Sequence, residues 1–371
     1  MTATQPRPTA GATRPARGGF ARFVDEDYAG DVRALGAFRI CFGLFTLWLG
    51  PPPIRGLVDL PDATYSPPPG LSQIWGGWPP EIVLVGLDVA WIALAVAVTL
   101  GWRTRVSSAA LTVVTVVSSS ILFSTGKIDH TVFTALLPLF CGLAGWGDAL
   151  SLDERRRAPR AGVQPTSRSW PLATLAGLLA VGFFTAAMPK IAGGWLDPGS
   201  QAAERYFRDD LLLRDRTDLL APAAARIDSA IAWELLDIGT VAFELGIAIA
   251  VLNTLWFRRG LMIAVGFHIG VLMVMNISFL ALPLLYAALL VPGLTASTTD
   301  RFAGLIAANQ RRLWLVALAL AVVNLHRPPT AVLVDLLDVG SLPVRAGELI
   351  AVSAGVVWLG VNQRSRRPAA A

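Results

Sequence analysis

Residues 171–189 read PLATLAGLLAVGFFTAAMP, a stretch without one acidic or basic side chain. An α-helix needs about 20 mainly apolar residues to cross a hydrocarbon core about 30 Å thick. Similar windows recur along the chain, whose 371 residues are 54% hydrophobic and 15% charged. Soluble domains carry about 25% charged residues. We therefore predict an all-α, polytopic transmembrane helical bundle.

Nine or ten windows are predicted to span the membrane, and the ninth is either a full span or a half-span leading into an amphipathic stretch at 330–345. The ten windows are 33–50, 82–101, 106–123, 131–147, 171–189, 233–253, 260–275, 277–292, 312–325 and 346–362. We expect four regions: a disordered cytoplasmic tail (1–32), a transmembrane domain (33–292), additional C-terminal transmembrane segments (293–362) and a basic cytoplasmic tail (363–371).

The net charge of +5 is read as loop charge. Placing both termini in the cytoplasm puts most Lys and Arg in cytoplasmic loops, as the positive-inside rule requires, and most Trp near span ends, where amphipathic rings prefer to lie. The expected partner is therefore a lipid bilayer and not nucleic acid. We predict a multi-pass protein of the plasma or inner cell membrane.

Two long segments, 51–81 and 190–232, lie outside on this topology, and the second contains stretches that can form helices on or within the membrane surface, at 199–213 and 219–232. Cys41 and Cys141 are interpreted as packing residues. The chain shows no zinc-type spacing, disulfide framework, phosphate-binding glycine loop or catalytic triad pattern, and we predict no metal.

Ionisable residues inside spans are costly and are functional candidates by default. Arg39, in the first span, either binds an anionic group or pairs with an acid on another helix. Glu234, Asp237 and Glu244 fall on one face of the sixth span. The first two are close enough to the interface to be solvated, whereas Glu244 must be either protonated or paired.

His268 lies at mid-depth in the seventh span and Asn276 near its outer end. Counting along antiparallel helices brings Glu244 and His268 to similar depths, so we predict a hydrogen bond between them, with either a functional or a purely structural role.

Lys190 is one of two lysines among the 31 basic residues. It either snorkels to the outer headgroups or, because desolvation favours the neutral amine, acts as a general base. His130 lies in the turn with Lys127 and Asp129, where it is either solvated or part of a site on the same outer side as Lys190. His326 is interpreted as a loop residue.

Four stretches in order resemble the vitamin K-dependent γ-glutamyl carboxylases and their bacterial relatives, the HTTM (horizontally transferred transmembrane) domain proteins. They cover roughly residues 33 to 292. The stretches are FRICFGL (38–44), GKIDH (126–130), FFTAAMPKIAGGWLDPGSQAAERYF (183–207) and GFHIGVLMVMNISFL (266–280).

The resemblance implies that Lys190 is the catalytic base and that His130 and His268 are functional histidines. We expect Trp195, Arg39, Glu244 and Asn276 to bind substrate. The implied chemistry is oxidation or epoxidation of a reduced vitamin K or menaquinol-type quinol by O2, which in the carboxylases drives addition of CO2 to a glutamate.

Two departures modify this expectation. Pro189 should kink or end its helix before Lys190, and no large soluble region follows residue 292, so we expect quinol chemistry without propeptide-dependent carboxylation. The alternatives are a non-catalytic HTTM partner for maturation, export or immunity of a secreted peptide, and a b-type haem protein using two of His130, His268 and His326.

Overall fold

The computed structural model describes residues 19–125, 128, 130–157, 166–326 and 342–364, except the side chains of 342–345. Every regular element in these ranges is helical, so the predicted all-α helical bundle is confirmed. The α-helices are α1 (Gly19–Asp25), α2 (Val32–Leu49), α3 (Glu81–Leu100), α4 (Thr104–Leu122), α5 (Thr131–Ala144), α6 (Leu152–Arg156), α7 (Trp170–Ala192), α8 (Ala202–Leu213), α9 (Ala221–Ala224), α10 (Ala230–Ala250), α11 (Thr254–Met275), α12 (Leu282–Leu290), α13 (Ala296–His326) and α14 (Leu342–Val361).

Six of the described helices are long and apolar enough to cross a membrane: α2, α3, α4, α7, α11 and α13. Helices α5 and α12 and most of α14 are apolar but shorter. Helix α10 is long enough, at 21 residues, but carries three acids. All ten predicted windows fall on helices, but the helices at four of them, α5, α10, α12 and α14, are not among the six candidate spans, so the total of nine or ten spans stays a prediction.

The window at 312–325 was predicted too short, because α13 runs without interruption from Ala296 to His326. Residues 296–311 are more polar than a membrane window, yet they contain no proline and continue the helix. The eighth window was predicted to begin too early, since Asn276 ends α11 at φ 54° and α12 begins only at Leu282. Of the amphipathic stretch 330–345, residues 330–341 lie outside the described residues.

The predicted N-terminal tail is wrong for residues 19–31. Residues 19–25 form α1, Tyr28 is fully buried, and its N–H donates to the Ser169 hydroxyl at 3.0 Å. Asp31 caps α2 by accepting from the N–H of Arg33. Hydrogen bonds and an aromatic side chain tie this segment to the bundle, whereas residues 1–18 lie outside the described residues.

The centre of the bundle is α12, every residue of which is buried. Around it α2 packs on α3 and α13, α4 on α3 and α5, and α7 on α5 and α10. Small residues allow close approach, as in membrane bundles: a Cβ at Gly43 would collide with the side chain of Thr99. Cys141 is buried and Cys41 partly so, both as free thiols, which agrees with packing roles.

Antiparallel helices create two ends of the bundle. We call the end formed by residues 101–103, 145–157 and 251–253 the basic end, and the opposite end, formed by 190–201 and 276–281, the lysine end. The two helices predicted within 190–232 correspond to α8 and to α9 with the start of α10. Their position relative to a membrane surface stays a prediction.

Candidate functional site

Lys190 and Glu244 form an ion pair between α7 and α10 at the lysine end. Lys190 Nζ donates to Glu244 Oε1 at 2.7 Å and Oε2 at 2.8 Å, and to the carbonyl of Ala186 at 3.1 Å. The ring centre of Trp195 lies 5.5 Å from Nζ, within range of a cation–π contact. The Glu244 side chain is 8% exposed and that of Lys190 24%, so the pair is only partly accessible to solvent.

This pairing decides between two alternatives and overturns one prediction. Of the two predicted states of Glu244, protonated or paired, the structure has the paired one. The predicted hydrogen bond between Glu244 and His268 is wrong, because both Glu244 oxygens accept from Lys190 on α7 while His268 bonds elsewhere. Of the two predicted effects of Pro189, a kink or an end of the helix, the end is wrong, since α7 continues through Lys190 to Ala192.

The three acids of α10 share one face, as predicted, and that face anchors the segment that follows Lys190. Asp237 accepts from the N–H groups of Ala202 at 2.8 Å and Ala203 at 2.7 Å, the first two residues of α8. Glu234 accepts from the N–H of Gly199 at 3.2 Å. Asp237 was expected to be solvated, but it is fully buried. Its burial is tolerated because a carboxylate at a helix N-terminus satisfies otherwise unpaired N–H groups.

His268 bonds to a phenol on the central helix. Its Nε2 lies 2.8 Å from the hydroxyl oxygen of Tyr286, and both side chains are buried. The other ring nitrogen, Nδ1, is also buried and has no hydrogen-bond partner among the described residues. A buried imidazole nitrogen without a partner is costly, so Nδ1 is an unsatisfied polar atom beside the bond to Tyr286.

Phe279 contacts two histidine rings. Its ring centroid lies 4.5 Å from that of His130 and 4.5 Å from that of His268. His130 therefore lies near His268, although the two histidines are more than a hundred residues apart in the sequence. Its neighbours in the polar turn, Lys127 and Asp129, lie outside the described residues.

Aromatic rings connect the neighbourhood of the ion pair with that of His268. Phe243, which precedes Glu244, stacks on Phe267 at 4.5 Å and meets Phe183 edge-on at 5.7 Å. Phe267 in turn lies 5.5 Å from the ring of His268. The lysine end thus combines an ion pair, two imidazoles and a phenol with a largely aromatic interior.

Arg39 lies outside this region, near the basic end. Its guanidinium donates to the carbonyls of Trp146 at 2.8 Å, Ala149 at 3.2 Å and Leu150 at 2.5 Å, and the side chain is fully buried. Among the described residues, its hydrogen bonds all go to backbone carbonyls and none to an acid. Its observed contacts close the loop after α5 onto α2.

Asn276 ends α11 and ties it to the loop before α9. Its side-chain oxygen accepts from the N–H of Asp218 at 2.8 Å, and its nitrogen donates to the carbonyl of Asp218 at 3.0 Å. Both functional groups of the amide are therefore engaged by the chain itself. His326 is the last residue of α13 and not a loop residue as predicted, and its Nδ1 lies 2.8 Å from the carbonyl of Val322, one turn earlier.

The described residues contain no group of three or more His, Cys, Asp and Glu side chains placed to hold a metal ion. A haem held by His130 and His268 would also have to displace Phe279, whose ring centroid lies 4.5 Å from both imidazoles. The side chains around His268 are instead mostly phenylalanine rings, with the imidazoles and the Tyr286 hydroxyl as the polar groups among them.

Sequence reasoning missed Tyr286. One signal was present: Tyr286 is one of only four tyrosines and falls in the middle of an uncharged window, where a phenol hydroxyl needs a partner. The anchoring role of Asp237 was missed because it depends on where α8 begins in space.

A comparison with family models, with curated proteins and with solved structures finds no match for this chain.

Proposed function

We propose that the protein is a membrane enzyme of the plasma or inner cell membrane, resembling the HTTM and γ-glutamyl carboxylase proteins, that oxidises or epoxidises a reduced naphthoquinone of the vitamin K or menaquinol type. The observation that carries the proposal is the Lys190–Glu244 pair, a proton acceptor beside aromatic rings at the end of a bundle of apolar helices. Intramembrane ionisable groups that pair with one another commonly mark proton or substrate pathways.

The pair can act as a base in two steps. Lys190 passes one proton to Glu244 through the 2.7 Å hydrogen bond, which a poorly solvated environment favours because it removes both charges. The neutral amine then accepts a proton from a quinol hydroxyl. The pair has gained one proton in total and returns it to solvent through the exposed part of Lys190.

The residues around His268 fit an aromatic quinol. Phe267 and Phe279 contact the ring of His268 and Phe243 stacks on Phe267, which makes these surroundings aromatic and apolar, and the unpartnered Nδ1 of His268 can exchange a hydrogen bond with a hydroxyl. His130 also contacts Phe279. Tyr286 holds Nε2 and so fixes the orientation of the His268 ring.

O2 supplies the oxidant in two balanced outcomes: quinol and O2 give either the epoxide and water, or the quinone and hydrogen peroxide. Addition of CO2 to a glutamate of a peptide is a further step that the resemblance implies only for the carboxylases. Measuring epoxide, quinone, peroxide and fixed label together separates these three reactions.

The test uses the full chain in neutral-lipid nanodiscs with reduced menadione in air. We expect epoxide or peroxide formation above empty nanodiscs, and a loss of about 100-fold or more in Lys190→Met, since general bases contribute about 10²–10⁴-fold. Labelled bicarbonate and a glutamate-containing peptide are added in a parallel sample.

Because Lys190→Met leaves Glu244 unpaired, the double variant Lys190→Met with Glu244→Gln provides a second inactive protein without that charge. Glu234→Gln, which changes an acid on the same face of α10 outside the pair, is the matched control and should keep wild-type turnover. Equal turnover by wild type and both Lys190 variants would overturn the proposal. Co-purification of a secreted peptide with an inactive wild type would support the non-catalytic alternative.

A further inference from the structure

The basic end carries a charged cavity that the proposed quinol chemistry does not use. Its volume is about 570 Å³, within the range of about 300–1,000 Å³ of small-molecule sites. Four arginines and two aspartates line it, which leaves an excess of two positive charges. We call these residues the arginine pocket: Arg103, Arg105, Arg157, Arg168, Asp148 and Asp153.

The two acids of the arginine pocket are engaged by its own walls. Asp153 accepts from the N–H and the hydroxyl of Thr104, both at 2.7 Å, and from the N–H of Arg103 at 2.8 Å. These bonds cap the start of α4. Asp148 pairs with Arg157 at 2.6 Å. Asp153 therefore shapes the pocket wall, and only one of the four guanidinium groups, that of Arg157, is ion-paired with an acid of the pocket.

The other three arginines have no carboxylate partner among the described residues. Arg103 lies over the ring of Trp102 at 5.5 Å, and Arg168 donates one N–H to the carbonyl of Leu143 at 3.0 Å. Arg105 is exposed and makes no ion pair with any residue that the structure describes. A guanidinium carries five N–H donors, so most donors of these three side chains are available.

Tryptophans indicate the depth of the arginine pocket relative to a bilayer. Trp102 and Trp170, at the basic-end termini of two apolar helices, are 42% and 44% exposed. Tryptophan rings with an exposed edge prefer the level of the lipid headgroups. The pocket beside Trp102 therefore lies at the depth where lipid phosphates are found.

We propose that the arginine pocket binds a phosphate group, of the kind that the headgroup of an anionic phospholipid presents. Phosphate oxygens match the planar fork of arginine in bidentate geometry, which a lysine cannot reproduce. Basic pockets between membrane helices are known to hold anionic headgroups. The excess positive charge and the three guanidinium groups without carboxylates favour an anion over a zwitterionic lipid.

The test purifies the full chain in nanodiscs that contain phosphatidylcholine with or without phosphatidylglycerol, and measures retained phosphatidylglycerol by native mass spectrometry together with the unfolding midpoint. The variant is Arg105→Gln with Arg168→Gln. The matched control is Arg259→Gln, an exposed arginine at the same end that lies over Trp256 at 5.2 Å as Arg103 lies over Trp102. A second arm adds glycerol phosphate to phosphatidylcholine nanodiscs.

We expect wild type and Arg259→Gln to retain phosphatidylglycerol and to gain thermal stability from it. The double variant should bind it roughly 25-fold more weakly, or about 5-fold for each arginine removed. If glycerol phosphate alone stabilises wild type but not the double variant, the phosphate site stands and its ligand is soluble. Retention and stabilisation that are equal in the double variant and in Arg259→Gln would overturn the proposal.

Discussion

Glu244 holds the amine of Lys190 with both carboxylate oxygens, at 2.7 and 2.8 Å, across the contact between α7 and α10. Two charged groups inside an apolar bundle thereby neutralise each other. Removal of one partner leaves the other as an uncompensated charge, whereas removal of both leaves none.

Glu244→Gln should destabilise the fold by about 2 kcal/mol, because breaking a buried ion pair costs about 3–5 kcal/mol and the 24% exposure of Lys190 reduces the penalty. Replacing both partners, in Lys190→Met with Glu244→Leu, should restore stability to within about 1 kcal/mol of wild type, since apolar side chains of similar volume substitute well for buried pairs. Unfolding in mixed micelles measures all three proteins. A double variant as unstable as Glu244→Gln would contradict a mainly electrostatic role.

Tyr286→Phe should cost about 1–3 kcal/mol of stability, because it leaves the buried Nε2 of His268 without its hydrogen bond. Tyr65→Phe is the control: the Tyr65 hydroxyl donates to the carbonyl of Ser72 at 2.6 Å in a loop that is half-buried, where water can replace it. We expect the control to lose clearly less. Equal losses in unfolding experiments would show that the His268 contact contributes nothing special.

Arg39→Lys should destabilise the basic end by about 2 kcal/mol or more, although the charge is kept. Three carbonyls accept from different N–H groups of one guanidinium fork, and a single ammonium on a flexible stem cannot reach them in the same directions. Hydrogen exchange of residues 145–151 reports the loosened loop. Unchanged exchange there, with normal yield of folded protein, would contradict this account.

Asp153 should make stability depend on acid pH. Burial opposes its charge, but the hydrogen bonds from Thr104 and Arg103 outweigh burial and lower the pKa of Asp153 below its ordinary value. A lowered folded-state pKa stabilises the fold above the unfolded value of about 3.9, and that stability is lost as pH falls through the folded value.

The measurement is the unfolding midpoint of wild type and Asp153→Asn between pH 6 and about pH 2.5. Wild type should be the more stable protein at pH 6, and the gap should close below about pH 4. A gap that stays constant over this range would rule out ionisation of Asp153 as its source.

Several parts of the site followed from the sequence. The spacing of Glu234, Asp237 and Glu244 predicted a shared helical face, and the scarcity of lysine drew attention to Lys190. Both features rest on helical periodicity and composition, which are local. The approximate positions of the apolar helices were predictable for the same reason, because any window of apolar residues long enough to cross a bilayer must satisfy its own backbone hydrogen bonds.

Only the tertiary structure decided which side chain each polar group meets. Counting residues along antiparallel helices predicts the depth of each side chain, and it placed Glu244 and His268 at similar depths. Such counting says nothing about which neighbouring helix a side chain faces. Packing of α10 against both α7 and α11 turned Glu244 to Lys190, while α12 supplied Tyr286 to His268. Sequence thus determined which residues had to find partners away from lipid, and the rotation and adjacency of the helices, set by side-chain packing, determined which partners they found.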